Sequence, residues 1–268
     1  MHLRFNEHTP IERYRVDGYP VFVKRDDLFA EPPLPPLGKL RGLHVVLEDL
    51  VRTGVRCVGS WDTRISKLSQ GVAILAARYG SLRTIVSYPA RNGEPLPEPI
   101  RVAAEYGAEL FPVRGNFPRI AWSQAKRYVE SHGGVMLPFG LECAEAVAAV
   151  AREASTVPER CYAGGTVVLC GGSGVTATGL LRGLRTAPSR VLVLSSGRSP
   201  EQIRRTIARY LPVPKYVEIV TPIMPYERPA RIRCPFPAHP NYDLKAWACT
   251  IDRIDGLRAP VLFWNVGA

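Results

Sequence analysis

The chain predicts an α/β protein built as two doubly wound parallel-sheet units. Three observations point there. Short β-rich runs alternate with helix-period segments along most of the 268 residues. The alternation falls into two sets, separated by a polar stretch at 156–165. The second set opens on a strand, a glycine-rich turn and an apolar helix, an order used by parallel sheets with helices on both faces.

The first set predicts strands at 55–58, 83–88, 109–113 and 135–138, followed by helices at about 66–79, 98–106, 118–131 and 142–154. The second predicts strands at 167–170, 191–194, 217–220 and 261–264. Loops rich in Pro and Gly lie at 31–38, 90–99 and 222–240, and the last is long enough to have a role of its own.

Composition narrows the function classes. Hydrophobic residues make up 46% of the chain, enough for a full core. No apolar run approaches a membrane span and residues 1–7 carry no leader-like apolar core, which predicts a soluble, cytoplasmic protein. The six cysteines are scattered without a C-x-x-C pair and the five histidines lack metal spacing, so neither a metal site nor a disulfide framework is expected. Cys57 and Cys170 read as buried thiols. The net charge of +11 suits a polyanionic partner or, equally, an arginine-rich compositional bias. Arg204, Arg205, Arg209, Arg228, Arg231 and Arg233 lie close together in sequence.

The glycine turn names a ligand group. Gly171, Gly172, Ser173, Gly174, Val175 and Thr176 join the run 166–170 to the helical segment 177–181. Glycines let the backbone approach an anion, and the amides of the turn and of the following helix point at it. Phosphate is the natural guest. Gly172-x-Gly174-x-x-Ala177 fits a loose dinucleotide fingerprint, but no acid ends the next strand, and Gly197-Arg198 there leaves only NADP open. The lysine of an ATP P-loop is absent. Pyridoxal phosphate is the other candidate. It needs a Schiff-base lysine and a polar group at its ring nitrogen.

Both are present in recognisable surroundings. Val23-Lys-Arg-Asp-Asp-Leu28 precedes Leu37-Gly-Lys-Leu-Arg-Gly-Leu43. Ile65-Ser-Lys-Leu-Ser-Gln70 follows, then the glycine turn, then His239-Pro-Asn-Tyr-Asp-Leu-Lys-Ala246. In that order the motifs resemble the fold-type II pyridoxal-phosphate enzymes (tryptophan synthase β-like), above all the 1-aminocyclopropane-1-carboxylate deaminase and D-cysteine desulfhydrase group. The resemblance puts the cofactor on Lys39 and its phosphate on Gly172, Ser173, Gly174, Val175 and Thr176. Tyr242 falls over the active site and Asp243 at the pyridine nitrogen. Ser66, where relatives have Asn, falls beside the cofactor ring, and Ser66, Lys67, Gln70 and Asn265 beside the substrate. Arg198 is left without a cofactor role. Gly38 stands where the family has Asn, and Asn265-Val-Gly-Ala268 where relatives read H-T-G-G. The resemblance also implies a larger cofactor-binding unit of 1–43 plus 156–268, a smaller α/β unit of 44–155, and a homodimer.

Simpler readings stand beside these roles. Asp243 is also suited to cap a helix starting near Leu244, Tyr242 to fill a core, and Ser66 and Lys67 to start a helix. The Pro-rich segment 31–43 and the ending 262–268 look like a short, bacteriophage-associated branch resembling enzymes of thymidine hypermodification. That implies a pyridoxal-phosphate lyase, a decarboxylase of an amino acid attached to a thymine base in double-stranded DNA, at work in the host cytoplasm. The alternatives are a small-molecule deaminase or desulfhydrase releasing ammonia and a keto acid from a free amino acid, an NADP-binding Rossmann protein, or a non-catalytic homologue.

Overall fold

The structure is a computed structural model that describes residues 3–114 and 118–268. Residues 1 and 2 of the stretch read for a leader lie outside the described residues. Two sheets organise the chain.

The larger sheet has six strands in the order β1-β2-β10-β7-β8-β9. These are β1 (Ile11–Val16), β2 (Tyr19–Arg25), β7 (Thr166–Gly171), β8 (Arg190–Ser195), β9 (Val217–Val220) and β10 (Val261–Asn265). All neighbours run parallel except the β1–β2 hairpin. The smaller sheet is parallel throughout, in the order β5-β4-β3-β6. It consists of β3 (Cys57–Trp61), β4 (Arg83–Pro89), β5 (Glu109–Val113) and β6 (Val135–Met136).

The helices are α1 (Leu40–Arg52), α2 (Leu68–Arg78), α3 (Glu98–Glu105), α4 (Pro118–Ser131), α5 (Ala144–Ala154), α6 (Val175–Gly183), α7 (Pro200–Ala208) and α8 (Asp243–Asp252). Helix α8 packs on one face of the larger sheet, burying Trp247 against Phe236 and Phe263. Residues of α6 and α7, including Leu180 and Ile203, cover the other face. A further core joins α1, α2 and α5 through Leu40, Leu43, Val72 and Val147, all inaccessible to solvent. Among the described residues no helix is long and apolar enough to cross a membrane.

The expected parallel α/β architecture is present, with boundary shifts. The strand read at 55–58 runs Cys57–Trp61, and the helix read from Ser66 starts at Leu68. The antiparallel hairpin is new. Its turn places Asp17 and Gly18 at φ 47° and 87°, the left-handed pair that an Asp-Gly turn favours. Cys57 and Cys170 are buried free thiols, as expected.

Parallel strands all point their carboxyl ends the same way, and open α/β sheets hold ligands there. Several residues of interest lie at or just past such ends: Asp62 after β3, Phe139 after β6, Gly172 after β7, Arg198 after β8, and Asn265 ending β10.

Candidate active site

Lys39 sits immediately before α1, and its Nζ donates to Ser173 Oγ at 3.5 Å. Burial lowers the lysine pKa; Asp62 opposes that shift and Arg198 adds to it. More of the amine is therefore neutral near pH 7 than in a free lysine.

The segment around Lys39 is set by the acid-and-base motif upstream. Arg41 pairs with Asp26 at 3.0 Å and with Glu153 of α5 at 3.2 Å, while Lys24 also pairs with Glu153. Trp264 Nε1 donates to Asp26 at 3.2 Å and Arg25 pairs with Asp27 at 2.8 Å. A Cβ at Gly38 would lie 2.2 Å from Asp26 Oδ2, so this position has no room for the family's Asn.

The glycine turn supplies the opposing wall. Gly174 is left-handed at φ 94°, and a Cβ there would press on Thr206 at 3.1 Å. Ser173 and Thr176 are buried. Helix α6 begins at Val175, so its first amides have no intrahelical partner. The Val175 side chain lies in the core, which leaves its N–H as its polar contribution. A Cβ on Gly140 would come within 2.6 Å of Ser173, so the segment after β6 closes down on the turn. Arg198 is committed elsewhere: it pairs with Glu142 and lies 4.6 Å over the Phe139 ring.

Sequence motifs do not reveal the next group. Asp62 is buried beside Lys39, accepting from Thr63 N and Ser69 N, each at 3.0 Å. Burial raises its pKa, while the Ser66 hydroxyl, the two amides and Lys39 hold it down. Tyr226, from the 222–240 loop, bonds Thr63 Oγ1 at 2.9 Å and Tyr242 Oη at short range. Burial pushes Tyr226 up to about 12 and Tyr242 well above its usual value, so both phenols stay protonated at neutral pH. Tyr242 also meets the His239 ring edge-on at 4.8 Å, and burial takes His239 down to about 4, keeping it neutral.

The remaining expected residues divide. Asp243 does not cap α8. Its two oxygens accept from Val266 N at 2.9 Å and Gly267 N at 3.1 Å, and burial pushes its pKa up to about 7. Asn265 Nδ2 donates to Pro237 O at 2.9 Å, and its buried Oδ1 has no partner among the described residues. Lys67 donates to Ala268 O at 2.6 Å, and Gln70 lies on the first turn of α2.

Known proteins share this fold. An ACC deaminase homologue superposes with a TM-score of 0.76 at 20% identity, over 97% of this chain and 89% of its own. The fold is that of the fold-type II pyridoxal-phosphate enzymes. Threonine deaminase isoform 2 from Solanum lycopersicum (TM-score 0.70, 13% identity, 98% of this chain and 80% of its own) has the same fold-type II architecture. So does O-acetyl serine sulfhydrylase isoform 3 from Entamoeba histolytica (TM-score 0.67, 13% identity, 97% and 85%). In sequence, the chain is 29% identical over 279 residues to a glycyl-dTMP PLP-dependent decarboxylase of Pseudomonas phage M6, covering 97% of this chain and 98% of that protein. No family model matches.

Proposed function

We propose that the chain is a pyridoxal-phosphate-dependent lyase that decarboxylates an amino acid attached to a thymine nucleotide, acting on it within duplex DNA. The observation that carries the lysine's role is the Lys39 amine, desolvated and aimed at Ser173 of the glycine turn. The near-full-length likeness to a glycyl-dTMP decarboxylase supports the substrate class. The charge of +11 supports the DNA-linked form over a free amino acid.

The residues present fit the cofactor. The turn 172–176 and the start of α6 offer amides and buried hydroxyls to a phosphate monoester. Asn265 Oδ1, buried and without a partner among the described residues, is an open acceptor for a protonated ring nitrogen, while Asp243, whose two oxygens already accept from Val266 N and Gly267 N, could add a further acceptor. When bound, pyridoxal phosphate supplies an electron sink for negative charge at the substrate Cα.

The chain's own groups do the rest. A Lys39 amine with depressed pKa attacks a carbonyl carbon more readily than an ordinary lysine. In decarboxylation the Cα–carboxyl bond breaks, CO2 leaves and a proton takes its place at Cα. Lys39 Nζ is the proton carrier, and Asp62 beside it stabilises its charged form. Tyr226, Tyr242 and Thr63 form a protonated hydroxyl cluster that orients the substrate side and screens it from water. The chain functions as a homodimer in this reading, with 1–43 plus 156–268 as its cofactor-binding unit and 44–155 as the smaller one.

Titration with pyridoxal phosphate tests the proposal. The wild type is expected to develop a visible absorbance band that resists dialysis, and Lys39→Ala to lose it. Release of CO2 from a glycyl-thymidine duplex should follow the same pattern. A colourless wild-type protein would overturn the assignment. Ammonia and a keto acid from free amino acids would turn it toward a deaminase.

A further inference from the structure

The arginines that cluster in sequence separate in space into two groups with different surroundings. Arg204 and Arg205 lie exposed on α7, and Arg209 just beyond it pairs with Glu142 at 2.9 Å. Arg228, Arg231 and Arg233 lie on the 222–240 loop, all exposed, and none has a carboxylate partner among the described residues. The inner end of that loop is fixed in the active site. Lys245 Nζ donates to Pro225 O at 2.7 Å and Tyr226 O at 2.9 Å, and Asn241 Nδ2 donates to Tyr226 O at 3.2 Å and Glu227 O at 3.1 Å. Glu227 pairs with Arg91 at 2.7 Å, tying the loop to the segment after β4. The outer part carries a hollow of about 330 Å³ lined by Met224, Arg228, Pro229 and Arg231, and Ile223, next to Met224 in the chain, is fully exposed.

We propose that this loop is the element that docks duplex DNA, Arg228, Arg231 and Arg233 gripping backbone phosphates while Tyr226 at its root meets the nucleotide delivered to Lys39. The inference rests on the DNA-linked substrate of the preceding section. Three cations without carboxylate partners among the described residues, on one tethered loop, form a footprint that a small zwitterion does not require. The exposed Ile223 adds an apolar group suited to sugar and base edges rather than to a solvated ion. Pinning the loop root beside Tyr242 and Thr63 couples the phosphate grip to the position of the target base. The nucleotide must leave the stack to reach a buried lysine, so it has to be held from outside while it turns inward.

Binding of a labelled 20-base-pair duplex by the cofactor-loaded enzyme, followed by anisotropy against salt concentration, tests this. The triple variant Arg228→Ala/Arg231→Ala/Arg233→Ala is expected to lower the slope of log affinity against log salt by about 2.7, at roughly 0.9 per phosphate contact on duplex DNA. Its visible band and thermal midpoint should match the wild type, and Arg204→Ala/Arg205→Ala should bind like the wild type. A triple variant with wild-type affinity and slope overturns the proposal, as does a loss that appears only in the α7 variant. A wild type without salt-sensitive duplex binding removes the DNA-linked substrate and this loop's role together, whereas the visible band reports on the cofactor reading independently.

Discussion

Two charged regions of this molecule use the same residue types in opposite ways. Around Lys24–Asp27 every charge is buried and partnered, with Glu153 receiving both Lys24 and Arg41 and Asp26 receiving Arg41 and Trp264. On the 222–240 loop the arginines face water without carboxylate partners among the described residues. Buried ions hold a backbone in one place because leaving any of them unpaired is costly. Exposed, unpaired cations contribute little to stability and remain available to an outside anion. The charged residues therefore divide by location into a balanced buried network and an exposed set that carries net positive charge, a distinction that a total of +11 does not reveal.

Stability measurements can break or sharpen that contrast. Glu153→Ala leaves Lys24 and Arg41 buried without their shared partner, and a loss of about 3–5 kcal/mol in urea unfolding is expected. A loss below 1 kcal/mol would mean that the network is not holding the lysine segment. Gly38→Ala places a methyl on Asp26 and should cost about 1–3 kcal/mol, and the role proposed for the neighbouring Lys39 adds the expectation of weaker cofactor retention. Asp243→Asn probes pH. A carboxyl raised to about 7 keeps its proton in the folded state after the unfolded chain has released it, so its stabilising contribution is lost as pH rises from about 4 to about 7. The Asn variant should be less stable at pH 5 and lose less between pH 5 and pH 8, the difference in slope being at most about 1.4 kcal/mol per pH unit. Parallel slopes in the two proteins would show that Asp243 does not titrate in that window. The loop triple variant should stay within about 0.5 kcal/mol of the wild type.

Much of the fold was legible because buried parallel strands and amphipathic helices write their periods locally, as at Thr166–Gly171 and Ala144–Ala154. The Asp17-Gly18 hairpin had a signal too: a two-residue turn between alternating runs. Lys39 and the glycine turn stand out in the sequence because each lies in a short motif, and the structure brings the two within 3.5 Å of each other. Asp62 and Tyr226 were not. Each reaches the site from a loop through tertiary packing, and nothing flanking Asp62 in Trp61-Asp-Thr63 distinguishes it from a surface acid. Asp243 was found as a residue but its contacts were not, since its partners Val266 and Gly267 are distant in the chain.

The β10 strand and the residues after it hold the lysine segment from the far end of the chain. Gly38 N donates to Val266 O at 2.7 Å, and Trp264 reaches Asp26 across 238 positions. During synthesis Lys39 leaves the ribosome early, yet these contacts cannot form until residues 264–266 have emerged. A nascent chain stalled before β10 would therefore carry the lysine segment without these two contacts, whatever else of the fold had formed.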